Sequence, residues 1–405
     1  MKTKEYIKPL LLPKNIINSF SNISSTCDFL ISKTMPKVFT LMLVPSEKCN
    51  LKCNYCYETD KNPNLMDISL AKEIIKNTFE NLPKDFQLKI ELRGGEPFLE
   101  FDWIKHLYEW ILNNYKKRNY FFYIVTNGTC FTPKIKKWLL ENKDLFSIVI
   151  SLDGNKKSHN LNRCNSFDLI DFNFLFQINE HPYTYTTIMP NSINRLFEDI
   201  IFLIEKGFYA RINFEFKSHW KDNEIKIAVK ELRKTADFML KNNIQNKFNL
   251  FSTYGILDYT INKEENRELE LNCNAGKYRI IYSSSGKKYP CHAFVPSVFN
   301  NYSKYEDNNL FEEIKNKSIN PQICCSCNYF YLCHICIGFS YNYANDFTWR
   351  NLSICQITKF RTFASAYYHG YKLYDKYIKN EKLSEIDKKI LSNIYKLYKE
   401  EAIEY

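Results

Sequence analysis

No apolar run in the 405 residues approaches the roughly 18 needed to cross a bilayer as a helix, and the longest, Val38 to Val44, has the length of a strand. The expectation is a chain with no membrane span. A secretory signal is missing too. Lys2 and Lys4 open the chain, but Pro9 and Pro13 break Leu10-Leu11-Leu12 before an apolar core can form, so a cytoplasmic address is expected. Glycine is scarce, ten residues in all, and a glycine-poor chain keeps glycine where backbone geometry demands it. Acidic residues are outnumbered, 45 against 56 Lys and Arg, for a formal charge of +11. That excess does not point to nucleic acid. Lys and Glu interleave along helix-like stretches such as Asn223 to Asn243, which is the pattern of a solvated face.

Cysteine, by contrast, is abundant. Fourteen thiols in a reducing compartment read as metal ligands rather than disulfides, and bound thiolates would cancel much of the formal charge. The 29 Tyr and 31 Phe read as core fillers of an Asn- and Lys-rich chain.

From Val38 onward strand-like and helix-like runs alternate, as βα units with a parallel sheet require. Strands are expected at Val38 to Val44, Leu88 to Leu92, Tyr120 to Val125, Leu145 to Leu152, Tyr183 to Met189 and Ala210 to Phe216. Helices are expected at Ile68 to Leu82, Phe101 to Lys117, Pro133 to Lys143 and Ser192 to Lys206, with a further long helix after the last strand ending at about Asn243. Thr132-Pro133 has the form of an N-cap with proline at the first helical position. After about Ser252 the rhythm stops, and eight of the cysteines fall between Cys273 and Cys355, as in a metal-organised domain. The last fifty residues return to helix, whereas the first 36 carry no strong signal.

Immediately after the first strand, Cys49, Cys53 and Cys56 form a C-x3-C-x2-C loop with Tyr55 before the third thiol. Three thiolates can hold three irons of a cubane cluster and leave the fourth iron open, whereas a zinc site would want a fourth ligand nearby. This loop resembles the cluster loop of the radical SAM superfamily. Gly94-Gly95-Glu96-Pro97 after the second strand, Thr126-Asn127-Gly128 after the third and Ser151-Leu152-Asp153-Gly154 after the fourth stand where that resemblance expects them. It implies that Tyr55, Gly94, Gly95 and Glu96 serve S-adenosylmethionine. His159-Asn160-Leu161-Asn162-Arg163 further resembles the sulfatase-maturase branch, which implies cofactor contacts from Ser151 and Arg163.

The second cysteine region resembles a SPASM domain. Cys273, Gly286 and Cys291 have the spacing of a hairpin with a thiol on each arm, and Cys324, Cys327, Cys333, Cys336 and Cys355 follow, with Cys325 as an extra. The departure is two residues between Cys333 and Cys336, where the family has three. The resemblance implies one [4Fe-4S] cluster on Cys324, Cys327, Cys333 and Cys355 and another on Cys273, Cys291 and Cys336, with Cys325 or a substrate group as fourth ligand. Seven of the ten glycines, Gly94, Gly95, Gly128, Gly154, Gly276, Gly286 and Gly338, sit inside these motifs. Cys27, Cys130 and Cys164 read as ordinary buried or semi-buried thiols. On spacing alone a zinc ribbon is the alternative, although only five residues separate the paired cysteines.

The fold expected is α/β, a partial (β/α)6 radical SAM barrel at 38–250, followed by a SPASM domain at 251–375, with a 1–37 extension and a 376–405 helical tail. The implied cofactors are S-adenosylmethionine and three [4Fe-4S] clusters. The implied activity is radical oxidation of a peptide, in which a 5′-deoxyadenosyl radical takes hydrogen from an unactivated carbon. A carboxylate follows the second hairpin cysteine in sulfatase maturases; here His292 stands there, as in peptide maturases of ribosomally made natural products, and it is the candidate base beside the second cluster. Formylglycine formation is the rival activity, and a zinc-binding protein without redox chemistry the rival class. The expected partners are a precursor peptide and a flavodoxin or ferredoxin as reductant; since 37 residues leave no room for a leader-binding domain, leader recognition is expected to fall to a separate leader-binding protein, the tail helix or the barrel mouth, and neither membrane nor nucleic acid is expected.

Overall fold

The structure is a computed structural model. It describes residues 6–23, 37–59, 61–244, 249–252, 256, 274–298, 311–312, 314, 324, 327–329, 333 and 336–400. Cys27, Cys273 and Cys325 lie outside these residues.

Six strands form the parallel sheet that the alternating pattern requires: β1 (Val38–Leu43), β2 (Gln87–Leu92), β3 (Tyr120–Thr126), β4 (Phe146–Ser151), β5 (Tyr183–Ile188) and β6 (Tyr209–Phe214), each beside its sequence neighbour. Helices α2 (Ile68–Asn81), α3 (Phe101–Asn114), α4 (Pro133–Asn142), α5 (Lys156–Asn162), α6 (Phe172–Ile178), α7 (Leu196–Lys206) and α8 (Asp222–Lys241) fill the connections, after a short α1 (Lys14–Ser19). Thr132 does cap α4, its hydroxyl accepting from the Ile135 N–H at 3.3 Å. The helix expected from Ser192 begins as a 3-10 turn over Pro190–Arg195 and turns α-helical only at Leu196, which a proline at the first position permits.

Strands β7 (Arg279–Tyr282) and β8 (Lys288–Tyr289) form the expected glycine-turn hairpin. Its place was not legible from spacing. β7 pairs in parallel with β1, so the hairpin extends the barrel sheet to eight strands in the order β6-β5-β4-β3-β2-β1-β7-β8. Gly286 in its turn, at φ +80°, lies so close to α2 that an added Cβ would come within 2.6 Å of Leu70 Cδ2. A side chain there would be both strained and crowded.

The remaining helices are α9 (Ile337–Ala344), α10 (Leu352–Ile378) and α11 (Glu385–Glu400). The first residues, silent by periodicity, are packed into the main core: Leu10, Leu12 and Phe20 are fully buried. Their tie is long-range. Tyr398 Oη of α11 donates to the Leu10 carbonyl at 3.1 Å and accepts from the Leu12 N–H at 3.0 Å. No helix among the described residues is long and apolar enough to cross a membrane.

Candidate active site

The cysteine loop leaves β1 and is gripped from two sides. On one side Gly94 and Gly95, directly after β2, press against its backbone. A Cβ at Gly94 would stand 2.0 Å from the Ser46 carbonyl oxygen, and one at Gly95 2.0 Å from that of Lys48, while the Glu96 N–H donates to the Lys48 carbonyl at 2.7 Å. The glycine pair therefore shapes the seat of the cluster loop, since only glycine permits backbone to approach backbone this closely. On the other side the end of α5 holds it. The Asn54 N–H donates to the Asn162 carbonyl at 2.9 Å, and Cys164 is exposed rather than buried as expected, because its thiol turns to the loop and donates to the Lys52 carbonyl at 2.8 Å.

Arg163 stands over the loop. Its Nε is 3.0 Å from Asp153 Oδ2, its guanidinium lies 5.1 Å from the centre of the Tyr55 ring, and its terminal nitrogen is 3.8 Å from Cys53 Sγ. Tyr55 Oη donates to the same Asp153 oxygen at 2.7 Å. Asp153, fully buried after β4, thus locks the cation and the aromatic together above the thiols. Burial pushes the Cys53 thiol up to about 11, with Arg163 opposing, and Cys56 and Cys49 are both close enough to add to the rise. Ser151, half-buried at the end of β4, stands opposite Tyr185 in the register.

Glu96 is more committed to the protein than its motif suggests. Fully buried, it accepts from the Thr126 hydroxyl at 2.6 Å, the Asn127 N–H at 2.7 Å and the Phe98 N–H at 3.1 Å. It joins the ends of β2 and β3, and one of its four lone-pair positions is left for a ligand.

His292 is not confined to the second cysteine region. Its Nε2 is 3.1 Å from Glu58 Oε1, and its ring meets the Tyr57 ring edge-on at 5.0 Å. Thr59 N–H donates to the Ser297 carbonyl at 2.8 Å. The turn after Cys291 is therefore docked on the first cluster loop. Glu58, which the sequence analysis did not single out, sets a buried carboxylate beside His292. A Glu two residues after the last loop cysteine was the only available signal.

In the second region Cys324, Cys327, Cys333 and Cys355 are neighbours. Burial pushes Cys333 up to about 11, and Cys355, Cys324 and Cys327 add to it, while Cys355 is raised by burial and then by Cys324 and Cys327. Cys336 caps α9, accepting from the Phe339 N–H at 3.4 Å, and α9 is fastened to the Cys291 turn where Asn342 Nδ2 donates to the Ala293 carbonyl at 2.8 Å. Among the described residues no three His, Cys, Asp or Glu side chains converge on one point that could hold a single metal ion. A cubane places its thiolates on different irons, so it asks for neighbouring rather than convergent thiols, and the thiol set of the first loop fits it. Cys130 is half-buried beside Thr129, 3.8 Å from its hydroxyl.

A model of the family described as a 4Fe-4S single cluster domain matches residues 40–168, the span from β1 through the Arg163 segment. A cysteine-type anaerobic sulfatase-maturating enzyme of Clostridium novyi is 24% identical over 333 residues, covering 73% of this chain and 87% of that one. The radical SAM cyclopropyl synthase TigE of Paramaledivibacter caminithermalis is 30% identical over 146 residues, 31% of this chain and 29% of that one. The chain is thus similar to radical SAM enzymes. An uncharacterized protein of Methanocaldococcus jannaschii is 30% identical over 173 residues, 41% of this chain, and the chain spans 59% of that relative's length. Among solved structures, native anSMEcpe with bound AdoMet and Cp18Cys peptide superposes with a TM-score of 0.64 at 21% identity, over 84% of this chain and 99% of that one. Streptococcus suis SuiB bound to precursor peptide SuiA superposes at 0.55 and 19% identity, over 80% and 76%. The parallel sheet expected from the βα rhythm and the radical SAM fold implied by the motif resemblance are the fold observed.

Proposed function

We propose that this radical SAM protein is a peptide maturase that oxidises or cross-links a ribosomally made precursor peptide. The observation that carries this reading is the docking of the cysteine hairpin on the cluster loop, with His292 and Glu58 3.1 Å apart at the contact. The relatives named for sulfatase maturation and cyclopropyl synthesis, and the superposed structures with bound peptides, support a peptide substrate. We assign 38–250 to the barrel, 251–375 to a SPASM domain and 376–405 to the tail.

In this reading Cys49, Cys53 and Cys56 hold one [4Fe-4S] cluster. Cys324, Cys327, Cys333 and Cys355 hold a second, and Cys273, Cys291 and Cys336 a third. When bound, the first cluster and S-adenosylmethionine supply a radical able to take hydrogen from an unactivated carbon. Arg163, oriented by Asp153, holds the carboxylate of that cofactor, and Glu96, Ser151 and the Gly94-Gly95 turn line its place. With Nε2–H directed at Glu58, His292 leaves Nδ1 to accept a substrate proton. Electrons come from a flavodoxin or ferredoxin.

The test is mass spectrometry of candidate precursor peptides after anaerobic incubation with the reconstituted protein. A product lighter by about two hydrogens is expected. A second reading, formylglycine formation, is favoured by one observation: Glu58 brings a carboxylate to the place where sulfatase maturases carry one. Efficient conversion of a short sulfatase peptide would select it.

A further inference from the structure

The concave face of the sheet carries charges that the proposed chemistry leaves unused. Side chains alternate along a strand, and register then sets which of them share a face. Lys89 of β2 stands opposite Thr40 of β1, which stands opposite Arg279 of β7. Two residues on, Glu91 stands opposite Tyr123 of β3, and across the barrel Tyr185 of β5 stands opposite Arg211 of β6. The contacts place these residues on one floor. Lys89 Nζ is 2.8 Å from Glu91 Oε2 and 3.4 Å from the Tyr123 ring centre, and Arg93 Nε is 2.5 Å from Glu91 Oε1. The Tyr123 and Tyr185 hydroxyls are hydrogen-bonded to each other, and the Arg211 guanidinium lies 5.8 Å from the Tyr185 ring centre. From α10, Arg361 comes up beside Arg211: burial, and then the charge of Arg211, hold it down to about 10.

The charges on this floor do not balance. Lys89, Arg93 and Arg279 are gathered around one carboxylate, Glu91, which Lys89 and Arg93 already occupy, while Arg211 and Arg361 stand further along the floor beside Tyr185. Arg279 Nε is buried without a hydrogen-bond partner, and neither Arg211 nor Arg361 has an ion-pair partner among the described residues. Arg211 is exposed, but the buried Arg279 Nε and the half-buried Arg361 lose hydration beside like charge, so folding alone gives no return for this arrangement. A bound anion would relieve it, and arginine forks match the two oxygens of a carboxylate. The floor runs upward through Arg93, whose terminal nitrogen is 3.4 Å from Tyr57 Oη, to the ring that His292 meets edge-on.

We propose that this floor binds a carboxylate of the peptide substrate, so that the residue carrying it anchors the chain beneath the His292–Glu58 pair. The proposal rests on the peptide-maturase reading and adds a preference for an acidic peptide. Its test is binding rather than turnover. Three fluorescent hexapeptides, one with a single Glu and an amidated end, its Gln counterpart, and the Gln peptide with a free C-terminus, are titrated against the reconstituted protein by anisotropy.

The Glu peptide should bind about tenfold tighter than its amidated Gln counterpart, the worth of one charge-assisted contact. That advantage should shrink with added KCl, disappear in Arg279→Gln and Arg211→Gln, and persist in saturating S-adenosylmethionine. Tight binding of the free-terminus peptide instead would assign the floor to a terminal carboxylate. Equal binding of all three, an advantage surviving in both variants, or competition by S-adenosylmethionine would overturn the proposal. A preference for the Glu peptide without any precursor ever being modified would leave the floor standing and remove the maturase reading.

Discussion

His292 Nε2 lies 3.1 Å from Glu58 Oε1, which ties the turn that follows Cys291 to the loop that ends at Cys56. The sequence sets His292 beside the second cluster. The contact instead makes it part of the wall of the first cluster loop, with Tyr57 packed on its ring.

We therefore expect His292→Ala and Glu58→Gln to act alike. Each should slow peptide modification by about tenfold to a hundredfold, since a positioned general base contributes at least that much. Because both residues border the cluster loop, each variant should also alter the electron paramagnetic resonance signal of its reduced cluster. A His292→Ala protein with an unchanged signal would place the histidine away from that cluster.

Iron content tests the cluster count. Three cubanes require on the order of twelve irons per chain, and replacing Cys49, Cys53 and Cys56 by Ala should remove about four. A wild-type content near four would eliminate both auxiliary sites.

Arg163 and Asp153 form a buried pair, with side chains 9% and 0% exposed. Arg163→Met should strand the carboxylate and cost about 3 to 5 kcal/mol in denaturant unfolding, with S-adenosylmethionine binding lost as well. Adding Asp153→Asn should recover part of the stability and none of the binding.

Glu91 gives the fold an acid limit. Burial opposes its charge, but Arg93, Lys89 and Arg279 hold it down to about 2 from an ordinary 4.5. A depressed carboxylate stabilises the fold fully above its unfolded value and loses that contribution as pH falls toward its folded value. Roughly 3 kcal/mol should therefore disappear between about pH 5 and pH 2. Glu91→Gln should lower stability at pH 7 and flatten this part of the pH profile in denaturant melts.

Sequence alone determined the parts that depend on neighbouring residues. The six parallel strands, the Thr132 cap and the C-x3-C-x2-C loop follow from periodicity, side-chain reach and spacing, all of which operate within a few residues. The glycine pair after β2 was legible as a turn, but its close approach to Ser46 and Lys48 was not. Tertiary structure alone decided the rest. It set the hairpin beside β1, brought Glu58 to His292, made Tyr398 the anchor of Leu10 and Leu12, and gathered Lys89, Arg211 and Arg279 on one concave face. Each of these joins residues far apart in the chain, and such partners are selected by how the whole set of apolar faces is buried together, which no local pattern encodes.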